Sequence, residues 1–266
     1  MAKSEKVLIT VLTYPHPSEK YEELVCTAGI NESGEWVRLY PIDYRYRPRH
    51  QQFHKFQWVE VELAARSANK DPRKESRSPV LESIKLIGEP LGTAGKWRER
   101  RQLLDKLPHH TLKELEALYE KDKTSLGLLR PATIHDLVIE PVEGEWKASW
   151  KNLHDQLRLF PEMQLKTLEK LPWKWSFVFS CQGSTKKEKR MIEDWEIGAL
   201  YLNEKKRLGD ERKAAESVRN HYLNTVAAPD RDVRFIMGTR FPYNTWLIIG
   251  VFWPPKVAQQ ELFLGK

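Results

Sequence analysis

Cysteine is nearly missing from this chain. Cys26 and Cys181 stand alone and far apart. That excludes a disulfide scaffold, and a zinc site would have to draw mostly on histidine and carboxylate ligands. Long apolar runs are missing too. The longest, Trp246 to Trp253, covers eight residues, against about 18 for a membrane span. The opening Met1-Ala-Lys-Ser-Glu-Lys6 leads straight into a strand-like run, with no signal-peptide core. A soluble chain of a reducing compartment is expected, cytoplasmic and without membrane contact. Catalytic signatures are also lacking. Neither G-x-S-x-G nor H-E-x-x-H occurs. Gly92-Thr-Ala-Gly-Lys96 resembles part of a phosphate loop, but Pro90 stands where the first glycine belongs and Trp97 where Ser or Thr should follow. Fixed-period repeats and low-complexity tracts are absent.

What the chain does have is aromatic residues and positive charge. Its 266 residues include 10 Trp, 9 Tyr and 9 Phe, ample for a packed core, and 44 Lys and Arg against 37 Asp and Glu, a net +7. A basic excess points to polyanionic partners, or else to an ordinary solvated surface. The distribution of the charge must decide.

The first hundred residues read as short strands. Lys6–Tyr14 is β-branched and stopped by Pro15 and Pro17; Glu23–Ile30 follows. Asn31-Glu-Ser-Gly34 is a turn, and Trp36–Tyr40 completes a hairpin. Gln57–Leu63 alternates at period two, and Val80–Ile87 reads as another strand. Short strands without intervening helices predict a small barrel or sandwich. Helices follow at 97–107 and after the capping box Thr111–Glu114. Ile134–Ile139 returns to strand character and is expected to close the barrel. The fold expected is α+β: an N-terminal small OB-like β-barrel over 1–142 with a helical insertion at 97–123, a linker at 143–172 with a short helix near Met163–Lys170, and a C-terminal α+β unit over 173–266. In that last unit strands at 174–181, 232–237 and 244–253 form a short sheet. A long helix, or two, over Met191–Ala227 packs it.

Residues 36–58 are the densest feature. Arg38, Arg45, Arg47, Arg49 and Lys55 face one acid, Asp43, and seven aromatic residues are interleaved. Cations for a phosphate backbone with rings for base stacking make a single-strand groove. Trp36, Tyr40 and Trp58 fall on the apolar phase of strands and read as core, which leaves Tyr44 and Tyr46 as the stacking candidates. A second basic segment, Arg66–Arg77, offers Arg73 and Arg77 to phosphates or is a plain hydrophilic connection. A third, Lys96-Trp-Arg-Glu-Arg-Arg101, extends the footprint or is a helix face.

Other candidates carry less. Asp136, Glu145 and Lys147 would suit a divalent metal, but acid-x-Lys spacing is common by chance in so charged a chain. Glu193-Asp194-Trp195-Glu196 complements a helix start, or forms an acid or metal site. Cys26 sits among apolar neighbours in a strand and reads as a small hydrophobe. His50 and His54 lie in a loop and suggest no metal.

Thr13–Gly29, Trp36-Val-Arg-Leu-Tyr-Pro41, Ile192–Tyr201 and Gly250-Val-Phe-Trp-Pro-Pro255 together resemble a group of uncharacterised bacterial proteins. The opening strands also look like modules described as dual OB-type barrels. That resemblance implies nucleic-acid contact, in mobile-element or anti-phage settings, and carries over no catalytic residue. Relatives place more Cys and His before the Asp-Trp-Glu helix, so any zinc site would be lost here. The expected function is nucleic-acid binding, DNA or RNA, without intrinsic catalysis, cofactor or metal. The expected contact set is Arg38, Tyr44, Arg45, Tyr46, Arg47, Arg49, Lys55, Arg73 and Arg77. The alternatives are a metal-dependent nuclease or nucleotide hydrolase using Glu145 or Asp194, and a protein-interaction subunit docking a protein partner.

Overall fold

A computed structural model describes residues 3–18, 22–65, 71–142, 168–240 and 244–257. Glu145, most of the expected linker and most of the helix at Met163–Lys170 lie outside the described residues.

The chain is α+β. Its first sheet has six strands: β1 (Lys3–Leu12), β4 (Thr27–Asn31), β5 (Trp36–Leu39), β6 (Trp58–Leu63), β7 (Ser76–Arg77) and β8 (Lys85–Ile87), in the order β7-β5-β4-β1-β6-β8. β2 (His16–Ser18) and β3 (Glu22–Leu24) form a separate ribbon. The expected second strand is therefore broken at Val25-Cys26. The β4–β5 hairpin forms as its turn chemistry requires. Asn31 Oδ1 accepts from the N–H groups of Ser33 and Glu35, and Gly34 takes φ +80°.

Central strand β1 is buried along its whole second half, Val7–Leu12. Val7 and Ile9 enter one core with Val37, Phe53 and Val59, while Leu8 enters another with Ile30, Phe56 and Phe252. A register shift between Ile9 and Val11 then resets the alternation, which sends Val11 to the core of Leu8.

None of the sheets is closed into a barrel by its regular ladders. Ile134–Ile139, expected to close one, lies instead within β10 (Pro131–Pro141), which pairs with β11 (Trp173–Cys181). β11 also pairs with β12 (Glu188–Met191). A third sheet runs β14 (Thr245–Phe252), β13 (Arg234–Arg240), β9 (Leu126–Leu129). Thus β9 and β10, inside the 1–142 unit of the sequence reading, find their strand partners beyond residue 172.

Four α-helices lie among the described residues: α1 (Ala94–Leu104), α2 (Leu112–Asp122), α3 (Trp195–Leu208) and α4 (Glu211–His221). The Thr111–Glu114 capping box starts α2, with both reciprocal hydrogen bonds formed. The expected long helix is two, α3 and α4. Gly209 ends the first at φ +67°, and the Asp210 side chain caps the second by accepting from the Lys213 N–H. α4 runs on into one π turn, Tyr222–Val226. Among the described residues no helix is long and apolar enough to cross a membrane.

The two halves share a core. Leu8, Ile30 and Phe56 pack with Leu104 and Leu107 from the α1 region, and with Leu128, Ile236, Ile249 and Phe252 from the third sheet. The seam around this core is where cavities open.

Candidate functional site

The nine expected contact residues divide sharply. Arg38 is 1% exposed, and its Nη2 donates to the Ser125 carbonyl at 3.0 Å and hydroxyl at 3.3 Å. Burial, with Arg73 beside it, pushes its pKa down to about 10. Arg73 is buried in a forked pair with Asp71, Nε to Oδ1 at 2.9 Å and Nη2 to Oδ2 at 2.5 Å, and its Nη1 donates to the Thr239 carbonyl. Glu75 accepts from the Ser125 N–H and hydroxyl. This network fastens the β7 segment to β9 and β13.

Lys55 is half-buried. Its Nζ donates to Asp194 Oδ2 at 2.9 Å and Glu196 Oε2 at 3.0 Å. Burial alone would lower its pKa, but the two carboxylates raise it instead. Arg38 and Arg73 are therefore buried with their donors spent on internal partners, and the Lys55 ammonium is committed to two carboxylates. The reason lies in partners remote in sequence: Asp194 is 139 residues from Lys55.

The remaining six lie nearer the surface. Arg45 pairs with Glu23 at 2.8 Å, and Arg47 sits 3.6 Å from Asp43 and 3.8 Å from Glu82. Tyr44 is braced rather than open. Its hydroxyl donates to the Phe53 carbonyl, and its ring meets Phe53 and Trp195 edge-on. Tyr46 is half-buried in the same 3-10 turn. Arg49 is exposed, and half-buried Arg77 donates to the Lys74 and Ser76 carbonyls.

The positive charge gathers elsewhere. At the seam a cavity of about 810 Å³ is lined by Arg101, Arg130, Arg231, Arg234 and Lys256, with Asp105, Asp232 and His109. Asp232 is the hub. It accepts from Arg234 Nη2 at 2.6 Å, Arg130 Nη2 at 3.1 Å and Arg101 Nη1 at 3.3 Å. Arg234 Nη1 also meets Asp105 at 2.5 Å, and Arg101 Nη2 donates to the Pro255 carbonyl. Burial would raise the Asp232 pKa, but the arginines hold it below the usual carboxylate value. Burial, then Arg234 and Arg130, pushes the His109 pKa down. Arg234 is itself buried on Asp232 and Asp105, and Asp230 stands 3.6 Å from Arg231; Arg101, Arg130, Arg231 and Lys256 still leave the cavity with a cationic excess, the electrostatic condition of an anion site.

A second cavity, of about 530 Å³, opens across Arg231, which lines both. Phe56, Trp97, Tyr222 and Trp253 supply its rings, and Lys55, Arg100, Glu196 and His221 its polar groups. The Arg231 guanidinium lies 5.2 Å from the Trp253 ring centre, and that of Arg100 4.2 Å from Phe56 and 5.0 Å from Trp97. Trp97 and Trp253 meet edge to face at 5.3 Å. The start of α1 presents Trp97 through a left-handed turn: Gly95, Lys96 and Trp97 have φ of 57°, 57° and 63°. Left-handed backbone at the two non-glycine positions costs about 1–2 kcal/mol per residue, strain of the kind held at functional sites.

α1 thus serves both cavities with adjacent residues, Arg100 to the rings and Arg101 to Asp232. The segments that carry the family resemblance meet here as well. Thr13 bridges to Asp194, the Tyr14 N–H donates to the Glu193 carbonyl, and the Val251 N–H donates to Asp194 Oδ2. Asp194 is wholly buried, burial pushing its pKa up to about 6, and it caps α3. Its carboxylate is engaged by Lys55, Val251 and Glu196. Among the described residues no group of three or more His, Cys, Asp and Glu side chains is placed to hold a metal ion.

Sequence reading missed Arg130, Arg231, Arg234, Lys256 and Trp253 as site residues. Two signals pointed toward them: the Lys96–Arg101 cluster, and Trp253 inside Gly250–Pro255.

Residues 3–106 match the family model described as Domain of unknown function (DUF8758), and residues 108–265 that described as Domain of unknown function (DUF8757). No curated protein matches the chain.

Proposed function

The chain belongs to the DUF8757 family, and from the cavities at its seam we propose that it binds nucleic acid there, phosphates entering the arginine-lined cavity and the aromatic cavity lying alongside. One observation carries this reading. Five cations around two carboxylates adjoin a ring-lined cavity, and Arg231 belongs to both. Phosphate neutralisation beside stacking surfaces is the physical recipe for strand binding. Asp194, one acid of the nuclease alternative, is taken up by Lys55 and by backbone N–H groups.

The N-terminal sheet is read as an OB-type barrel, a fold that binds oligonucleotides. Support comes from the chain just after Glu75. β7 runs parallel to β5, while the Ala64 N–H donates to the Ser78 carbonyl and the Val80 N–H to the Glu62 carbonyl, so one extended segment bonds to both β5 and the end of β6.

Exposed Arg130 and Lys256 give the test. Affinity for a labelled single-stranded 12-mer is measured by anisotropy across a salt series. R130A/K256A weakens binding of every sequence alike and lowers the slope of log K against log salt by about 1.4, roughly 0.7 per lost phosphate contact. A variant with wild-type affinity and slope overturns the assignment.

A further inference from the structure

The aromatic cavity has contents that the phosphate reading leaves unused. We propose that it is a nucleobase pocket, taking one unstacked base of the bound strand and favouring guanine. The inference rests on the nucleic-acid reading above and goes further, to which base is held and by what.

Three features support it. First, the pocket has rings and edges of the right kind: Trp97 and Trp253 meet at an interplanar angle of 62°, and Phe56 lies beneath Arg100. A base has a π-face for such walls whatever its identity. Second, the cavity adjoins the anion site through Arg231. A nucleotide is phosphate and base joined by one sugar, so a single strand fills both spaces at once, whereas a free anion or a free aromatic ligand fills one. Third, the polar groups at its rim are specific. Glu196 is half-exposed, and its Oε2 is held by Lys55 Nζ at 3.0 Å, which fixes the carboxylate in place. A fixed carboxylate accepts hydrogen bonds and repels ring-nitrogen lone pairs. Guanine alone of the common bases presents two adjacent N–H donors, N1–H and the 2-amino group, on its pairing edge. Adenine and cytosine put an acceptor nitrogen beside their amino group, and thymine and uracil flank their single N–H with carbonyls. The Trp97 turn, left-handed over three residues, places one wall of the pocket.

The experiment uses the full chain and five labelled oligo(dT) 12-mers. They differ only at one central position, which carries dG, dA, dC, dT or an abasic site. The dG strand is expected to bind about 5- to 160-fold tighter than the abasic strand, the range for one stacked base, and tighter than the dA, dC and dT strands. E196Q is expected to remove the preference for dG over dA. Trp253→Phe should keep the preference at reduced strength, and Trp253→Ala should bring the dG strand to the abasic level. If all five strands bind equally and R130A/K256A still weakens them, the base pocket is refuted and the phosphate reading stands. If dA equals dG and both exceed the abasic strand, the guanine assignment fails. If no strand binds, both readings fall together.

Discussion

Arg73→Met separates a structural arginine from a phosphate-binding one. Arg73 is buried, and it holds Asp71 by a fork whose oxygens also receive the Ser76 hydroxyl at 2.8 Å. Removing one partner of a buried, hydrogen-bonded pair costs about 3–5 kcal/mol, because the other charge stays behind in a poor solvent. For a chain of this size each kcal/mol moves Tm by roughly 2–4 °C, so the variant should melt about 6–20 °C lower. Its pH dependence has a definite sign. In the wild type the Asp71 pKa is lowered: burial raises it, and the bonds from Arg73 more than reverse that. A carboxyl with a depressed folded pKa contributes stability above its unfolded value of 3.8 and loses it as pH falls through the folded one. In the variant burial is opposed only by the Ser76 hydroxyl and the backbone N–H of residue 73. The penalty is then largest at neutral pH and shrinks as Asp71 takes up a proton. The assay is thermal unfolding from pH 4 to 8, with oligonucleotide affinity measured at 10 °C, where both proteins are folded. Asp71→Asn/Arg73→Met should recover part of the loss by leaving no charge stranded. A variant that melts like the wild type yet binds less tightly would refute the assignment and restore Arg73 to the contact set.

His109 reports on the arginine cavity without any substitution. It faces Arg130, Arg234, Asp232 and Asp105, and burial with the two arginines holds its pKa below 6.5. A bound anion offsets that positive field, so the pKa must rise, and by linkage binding tightens as pH falls through the interval between the free and bound values. An NMR titration of the imidazole with and without oligonucleotide checks this. An unchanged His109 alongside saturated binding would place the anion elsewhere.

Local features of the fold were legible because their causes are local. The Thr111–Glu114 box, the Asn31–Gly34 hairpin turn and the period-two run of β6 each rest on residues within a few positions of one another. Misreadings arose where a distant partner decides. Leu126–Leu129 is too short to stand out as a strand, and becomes one only against β13. Leu81–Ser83 turns into a 3-10 segment inside an expected strand. The expected contact set is dispersed for the same reason on a larger scale. Residues 36–58 look cationic because the acids that neutralise them, Glu23, Glu82, Asp194 and Glu196, lie outside that window. The arginine cavity draws on residues from 101 to 256, of which Arg101 alone belongs to a basic cluster singled out in the sequence.

Photocross-linking tests the central claim most directly. A 12-mer bearing 4-thiothymidine is bound to the full chain and irradiated, and the attached peptides are identified by mass spectrometry. Attachment should concentrate on α1 and on the segments around Arg130, Arg231 and Trp253. Attachment confined to the Tyr44–Arg49 loop, with none at the seam, would contradict the account.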